Sequence, residues 1–263
     1  MDTFRSALNA ARKLPDVQAE SALRDLLKQH PSLSPEDEGN LRYSLGIVLF
    51  HQGKADAARS ETEQACRLLE QTPGAGAALA LTALARMKLA CHDPAGSVAT
   101  GRAALTLLHE KLAPDDPRMA PSLFSLSFGE YETRHLKEAE ALCLEAKKLW
   151  EKQKGAESLE VSTCLNNLGR IYEEMNRPED GIAHHRAALA IRRNVLGDHP
   201  ETAFSMGNLG TALAAAGHWR EAADMLEEAI NCYARCGHTA GNDIEGYRSN
   251  LEVCRHALAR ENA

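Results

Sequence analysis

The sequence predicts an all-α fold, a solenoid of stacked helix hairpins, from three observations. Leucine recurs at Leu45, Leu84, Leu126, Leu168, Leu209 and Leu251, in steps of 39, 42, 42, 41 and 42 residues. Alanine recurs at Ala65, Ala104, Ala146, Ala188 and Ala229, with the same steps of 39, 42, 42 and 41. Two columns in one register are the signature of a repeat whose units cannot bury their apolar faces alone and do so by stacking into a superhelix. Third, alanine and leucine dominate, aromatic residues are only 5% of the chain, and no alternating β-branched run bounded by turn residues occurs. That composition favours helix packing on helix over sheet.

One domain is expected, with residues 1–34 as atypical N-terminal helices, 35–240 as five hairpins and 241–263 as a closing helix. Near the N-terminus, Phe4, Ala7, Leu8 and Ala11 mark one helix. Pro15 opens another whose apolar residues are Val17, Leu23, Leu26 and Leu27. Neither fits the repeat, as expected of a terminal unit with one face in water. Ser34-Pro35-Glu36-Asp37 is a helix start: a serine cap, proline at the first helical position, then acids.

The clearest repeat runs from Leu165 to Ala203. Leu165, Leu168, Ile171, Tyr172 and Met175 make one apolar stripe at helical spacing. Gly169 lies inside that helix, where it costs about 1 kcal/mol relative to alanine, so another helix should approach closely there. Asn176 suits a left-handed turn position and Pro178 the first turn of the next helix. The second helix carries Ile182, Ala183, Ala187, Ala188, Leu189 and Ile191. Arg192 and Arg193 follow near its end, where the helix dipole favours cations. Gly197 stops it, Asp198 or His199 caps its successor, and Pro200 opens that helix. The turn position recurs as Gly53, His92, Arg134, Asn176 and Gly217; His92 and Arg134 must tolerate the left-handed conformation there or use another turn. Beyond Gly241, the segment Ile244–Ala259, with Tyr247, Leu251, Val253, Cys254 and Leu258, reads as a first helix without a partner.

A net charge of -7 argues against nucleic acid and anionic membranes as partners. The first thirty residues lack the apolar core of a signal peptide, and no stretch approaches roughly 18 apolar residues. The seven cysteines are scattered on predicted helices and read as reduced small hydrophobes. A soluble cytoplasmic protein is expected.

The segment Asn167-Leu168-Gly169-Arg170-Ile171-Tyr172, followed by Asn176, Gly181 and Ala188, resembles a tetratricopeptide repeat. So do Leu45-Gly46 with Gly53, Ala58 and Ala65, and Leu209-Gly210 with Gly217-His218-Trp219, Ala222 and Ala229. That family's usual period is about 34 residues. The longer spacing here, about 42, with the linker Leu196-Gly197-Asp198-His199-Pro200, is similar to kinesin light chain repeats and their bacterial relatives. Residues 35–260 carry the resemblance. It weakens where Ala85 and Ser127 replace the glycine and Lys88 the tyrosine. The resemblance implies a right-handed solenoid whose first helices line a concave, peptide- or protein-binding groove.

Groove positions follow from the leucine column. The slot just before it reads Ser44, Ala83, Ser125, Asn167, Asn208 and Asn250. The family uses asparagines in such a slot to hold a ligand's backbone, and an amide, with two donors and an acceptor, suits that task. The slot two after the leucine gives Ile47, Arg86, Phe128, Arg170, Thr211 and Val253. Tyr43, Phe50, Phe124, Tyr131 and Glu174 stand nearby. The groove is thus expected to be aromatic toward the N-terminus and polar, with Arg170, toward the C-terminus. Structural readings compete: Asn167 and Asn208 bonding each other, Phe124 and Phe128 as core between repeats, Arg170 with Glu173 and Glu174 as a solvated charged face.

Catalytic and metal chemistry is not indicated. Cys232 and Cys236 are four apart with His238 beyond, but a structural zinc site needs four ligands and no second close pair exists. His184-His185 are adjacent on one helix, diverge, and read as a solvated pair. No phosphate loop, nucleophile elbow or zinc-protease motif occurs. The expected function is a non-enzymatic scaffold without cofactor or metal, binding an extended peptide or a partner's helix. A self-assembling homo-oligomer is the alternative, and a small-molecule sensor or enzyme a remote one.

Overall fold

A computed structural model of the chain describes residues 2–72 and 74–261. Thirteen helices and no strand occur among the described residues. They are α1 (Asp2–Ala11), α2 (Asp16–Gln29), α3 (Pro35–His51), α4 (Ala55–Leu69), α5 (Ala75–Ala90), α6 (Pro94–Lys111), α7 (Met119–Glu132), α8 (Leu136–Lys154), α9 (Leu159–Glu174), α10 (Pro178–Leu196), α11 (Pro200–Ala215), α12 (Trp219–Arg235) and α13 (Asn242–Glu261). Their contacts gather into two compact units, residues 1–142 and 143–263.

In the first unit α1 and α2 pack as a pair, and α2 rests on α3. Phe4, Leu8, Ala11, Leu23 and Leu26 are buried there with Leu41, Leu45 and Leu49 of α3. Of the apolar residues of α2, Val17 is 76% exposed, because the buried face of that helix centres on Ala19, Leu23 and Leu26. The pairs α3–α4 and α5–α6 are hairpins, each laid against the next, and α7 packs on both α5 and α6. Ser34 caps α3 as its sequence foretells, its hydroxyl accepting from the Asp37 amide at 3.1 Å.

In the second unit α9–α10 and α11–α12 are hairpins, and α13 lies on α11 and α12. Ile244, Tyr247, Leu251 and Cys254 of α13 are buried in that cluster. Gly197 ends α10 at φ +60°. His199 is the residue that caps α11, accepting from the Glu201 amide at 3.2 Å, while Asp198 pairs with Arg235 at 2.6 and 3.0 Å.

Both sequence columns are core. Leu45, Leu84, Leu126, Leu168, Leu209 and Leu251 are buried, as are Ala65, Ala104, Ala146, Ala188 and Ala229. The turn column is left-handed throughout, at φ +75° (Gly53), +59° (His92), +66° (Arg134), +60° (Asn176) and +84° (Gly217). His92 and Arg134 therefore adopt the conformation at a cost of about 1–2 kcal/mol each. The close approach expected at Gly169 is also present. A Cβ there would stand 2.6 Å from the His185 ring, and one at Gly46 would stand 2.2 Å from Thr62 Oγ1. The small residue on the first helix makes room for a larger one on the second.

Candidate functional site

Each unit carries part of the predicted site. In the first, Tyr43 and Ile47 of α3 line a cleft of about 290 Å³. Arg12 and Leu14 from the turn after α1, Asp16 of α2, and Ser44, Val48 and His51 of α3 complete its wall. Arg12 donates Nε to Ser44 Oγ at 2.8 Å and Nη2 to the Asn40 carbonyl at 3.3 Å, which ties the α1 end to α3. Burial raises the Tyr43 phenol above its ordinary pKa, opposed by the charges of Arg12 and Arg86. Phe50, half-buried, lies under the Arg86 guanidinium, 5.5 Å from the ring centre. That cation–π contact couples α3 to α5. Phe124, Phe128 and Tyr131 of α7 are half-buried, and the rings of Phe128 and Tyr131 stack at 6.3 Å with 6° between their planes.

In the second unit the asparagine column is half-buried at Asn167, Asn208 and Asn250. The bonds it makes are not those between Asn167 and Asn208. Asn208 Nδ2 donates to Asn166 Oδ1 at 3.3 Å, one residue before the expected partner. Asn250 Nδ2 donates to Thr211 Oγ1 at 3.1 Å, so two predicted site residues do meet. The Asn167 side chain makes no hydrogen bond among the described residues. Arg170 is half-buried one turn further along α9.

Behind this face lies a polar interior. His185 is buried, not solvated: only 1% of it is exposed. It faces Asn166 Oδ1 at 2.9 Å through Nδ1 and Glu173 Oε1 at 2.8 Å through Nε2. His184, its neighbour in sequence, is half-buried and packs on Tyr172, ring centres 4.9 Å apart. Arg192 lies near the end of α10, as its sequence position predicts, and is only 5% exposed. Its guanidinium donates to Ser162 Oγ (3.2 Å), Thr163 Oγ1 (3.3 Å), Ser205 Oγ (2.7 Å) and the Glu201 carbonyl (3.2 Å). It thereby joins α9, α10 and α11. Burial lowers its pKa from the usual arginine value, opposed by Glu201.

Asn166, Glu173, His185 and Arg192 are the residues that sequence reasoning passed over as groups acting together. The signal for the last two was present in the columns. Three before the alanine stand Thr62, Gly101, Cys143, His185 and Leu226; four after it stand Leu69, Leu108, Trp150, Arg192 and Tyr233. Neighbours that are small or apolar at one repeated position predict burial for the polar member too.

Cys232 is buried, with its thiol 3.8 Å from Asp198 Oδ1. Burial, more than any charge, raises its pKa. Among the described residues no three His, Cys, Asp or Glu side chains gather in an arrangement able to hold a metal ion. No helix among them is long and apolar enough to cross a membrane.

Residues 129–180 and 177–235 match the tetratricopeptide repeat family. No curated protein sequence matches the chain. Solved structures do match in fold. BtubC (BKLC) from P. vanneervenii is 19% identical, with a TM-score of 0.68 over 91% of this chain and 94% of that one. A Podosopora anserina protein with nearly identical TPR-like repeats is 19% identical, with a TM-score of 0.66 over 78% of this chain and 98% of that one. A Rap protein complexed with competence and sporulation factor is 15% identical, with a TM-score of 0.68 over 98% and 75%.

Proposed function

We propose that this protein of the tetratricopeptide-repeat type is a non-enzymatic interaction module that reads an extended peptide, or an extended segment of a partner protein, through the asparagine column of its second unit. Folds of this type are generally protein-interaction scaffolds. The observation that carries the finer reading is the incomplete use of the column. Asn208 and Asn250 each spend one amide donor inside the protein, and Asn167 spends none among the described residues. The Asn167 amide is half-buried and is not among the buried unpaired groups, so its hydrogen-bonding capacity is open to water or to a ligand. A peptide backbone, with alternating C=O and N–H, complements half-used amides. Arg170 beside the column would add charge selectivity for an acidic ligand residue. A fold-level likeness to a Rap protein solved with competence and sporulation factor is in keeping with this reading.

The test is a pull-down with the intact protein beside an Asn167→Ala, Asn208→Ala, Asn250→Ala variant that retains its helical circular dichroism. Capture of one partner by the intact protein and its loss by the variant supports the reading; equal capture by both rejects it. A second reading, assembly with further copies of itself, rests on the exposure of apolar residues on helices near the chain ends: Val17 at 76% on α2 and Val253 at 53% on α13. Light scattering at several concentrations decides it, a strict monomer counting against.

A further inference from the structure

We propose that His185 sets the hydrogen-bonding polarity of the asparagine column, so that the charge of one buried ring decides whether Asn208 offers an acceptor or a donor to the bound peptide. This rests on the reading of that column as the peptide site.

The argument begins with which atoms can carry protons. Glu173 is a carboxylate and only accepts, so the His185 Nε2 facing it at 2.8 Å carries hydrogen whether the ring is charged or neutral. The proton that comes and goes is therefore the one at Nδ1, 2.9 Å from the terminal Asn166 atom that also faces Asn208 Nδ2 at 3.3 Å. Two networks satisfy the ring and both contacts of the shared Asn166 atom. With an imidazolium, Nδ1–H donates to Asn166 Oδ1, the same oxygen accepts from Asn208 Nδ2, and Asn208 keeps its Oδ1 for the ligand. With a neutral ring, Nδ1 is a lone pair and needs a donor. Asn166 turns its NH₂ toward the ring, its second N–H reaches Asn208, and Asn208 turns to accept through Oδ1. The group left outside is then the Asn208 NH₂. One proton from solvent, taken up at Nδ1, thus reverses two amides.

The surroundings leave that proton few other places. The ring is fixed because Gly169 has no Cβ to displace it. Glu173, 31% exposed, links the buried ring to water. On α9 the other charged groups near this level are Arg170 and Glu174. On α10 they are Asp180, bonded to Arg177 at 2.7 Å; Arg186, bonded to Glu221 of α12 at 2.6 Å; and Arg192, enclosed by hydroxyls. His184, also on α10, faces the Asp180 carbonyl at 2.8 Å through Nδ1. The charged residue of α11 is Glu201, 3.8 Å from Arg192. Glu173 is the charge in contact with the ring. The ligand consequence is specific. At low pH the Asn208 rung takes a backbone N–H; at high pH it takes a C=O, which shifts an extended peptide by one group along the column.

The experiment needs no ligand. Protein labelled with ¹⁵N is titrated from pH 4.5 to 9.5 while the His185 ring nitrogens and the side-chain amides of Asn166, Asn208 and Asn250 are followed by NMR, with His185→Gln for assignment. The expected result is that Asn166 and Asn208 amide signals move with the same midpoint as His185, while Asn250, bonded to Thr211, does not follow. Glu173→Gln, whose amide can donate to Nε2, lets the neutral ring keep its hydrogen on Nδ1 and should abolish the coupled movement of the Asn208 signal. An Asn208 amide that ignores the His185 titration, or a ring that keeps one protonation state across the range, overturns the proposal. Either failure leaves the pull-down with the triple asparagine variant to judge the peptide site on its own.

Discussion

In the first unit, α5 and α7 carry Lys88 and Glu130 at the position where the second unit has Tyr172 and Leu213. Glu130 is 1% exposed. It accepts from Arg102 at 2.9 and 2.7 Å and faces His135 Nδ1 at 2.8 Å, and both partners are more than half exposed. Lys88 reaches Thr100 Oγ1 at 2.9 Å. The second unit places its buried charge differently: Arg192 is sealed in by hydroxyls and a carbonyl from two neighbouring helices. The first unit thus neutralises an interior charge with flexible surface groups that water can replace. The second spends several interior dipoles on one guanidinium. The lesson concerns cost: an interior position tolerates polarity cheaply when the partners can return to solvent, and expensively when they cannot.

That contrast breaks most visibly at Arg192. Arg192→Ala should cost about 3 kcal/mol or more, from a cavity plus buried hydroxyls left unpaired. Glu130→Gln should cost about 1 kcal/mol, because Arg102 and His135 rehydrate. Urea unfolding of both variants checks this, and equal losses would erase the distinction. Next come the glycines. Gly169→Ala drives a Cβ to 2.6 Å from the enclosed His185 ring and should cost about 2 kcal/mol. Gly101→Ala meets Leu126 Cδ1 at 3.1 Å, a flexible end. The helix propensity gained should hold its net effect within about 1 kcal/mol. Thermal melts compare the two.

At the turns, His92→Gly in the first unit should stabilise by about 1 kcal/mol, since it removes left-handed strain. Asn176→Gly in the second should gain less, because asparagine tolerates that conformation. The smallest effect is confined to alkaline solution. Burial raises the Tyr233 phenol from 10.0 to about 12. The folded state therefore favours the neutral phenol. Its contribution is complete below pH 10, declines above it, and is gone once pH passes about 12. Phenolate absorbance against pH should show late ionisation accompanied by loss of helix in the second unit.

Much of this architecture was legible from spacing alone. The leucine and alanine columns located the core, and Ser34, Asn176 and Pro200 located helix ends, because capping and left-handed turns depend on residues close in sequence. Which apolar residues of α2 are buried was not legible, because packing on α3 selects Leu23 and Leu26 and leaves Val17 exposed. Asn208 and Asn250 were visible as repeated letters. The Asn166–His185–Glu173 chain was not, because contacts 12 and 19 residues apart depend on how one helix is rotated against the next. Reading His185 by its column, beside Thr62, Gly101, Cys143 and Leu226, would have placed it inside.

The central claim, that the asparagine column reads a ligand, is tested most directly at Asn167, whose amide has no bond to lose among the described residues. Extended peptides selected from a random library on the intact protein would be measured by calorimetry against Asn167→Ala. The account predicts an unchanged melting temperature and binding weakened about tenfold, the loss of one or two hydrogen bonds to the ligand. Unchanged affinity for every selected peptide would contradict it and leave the column a structural feature of the stack.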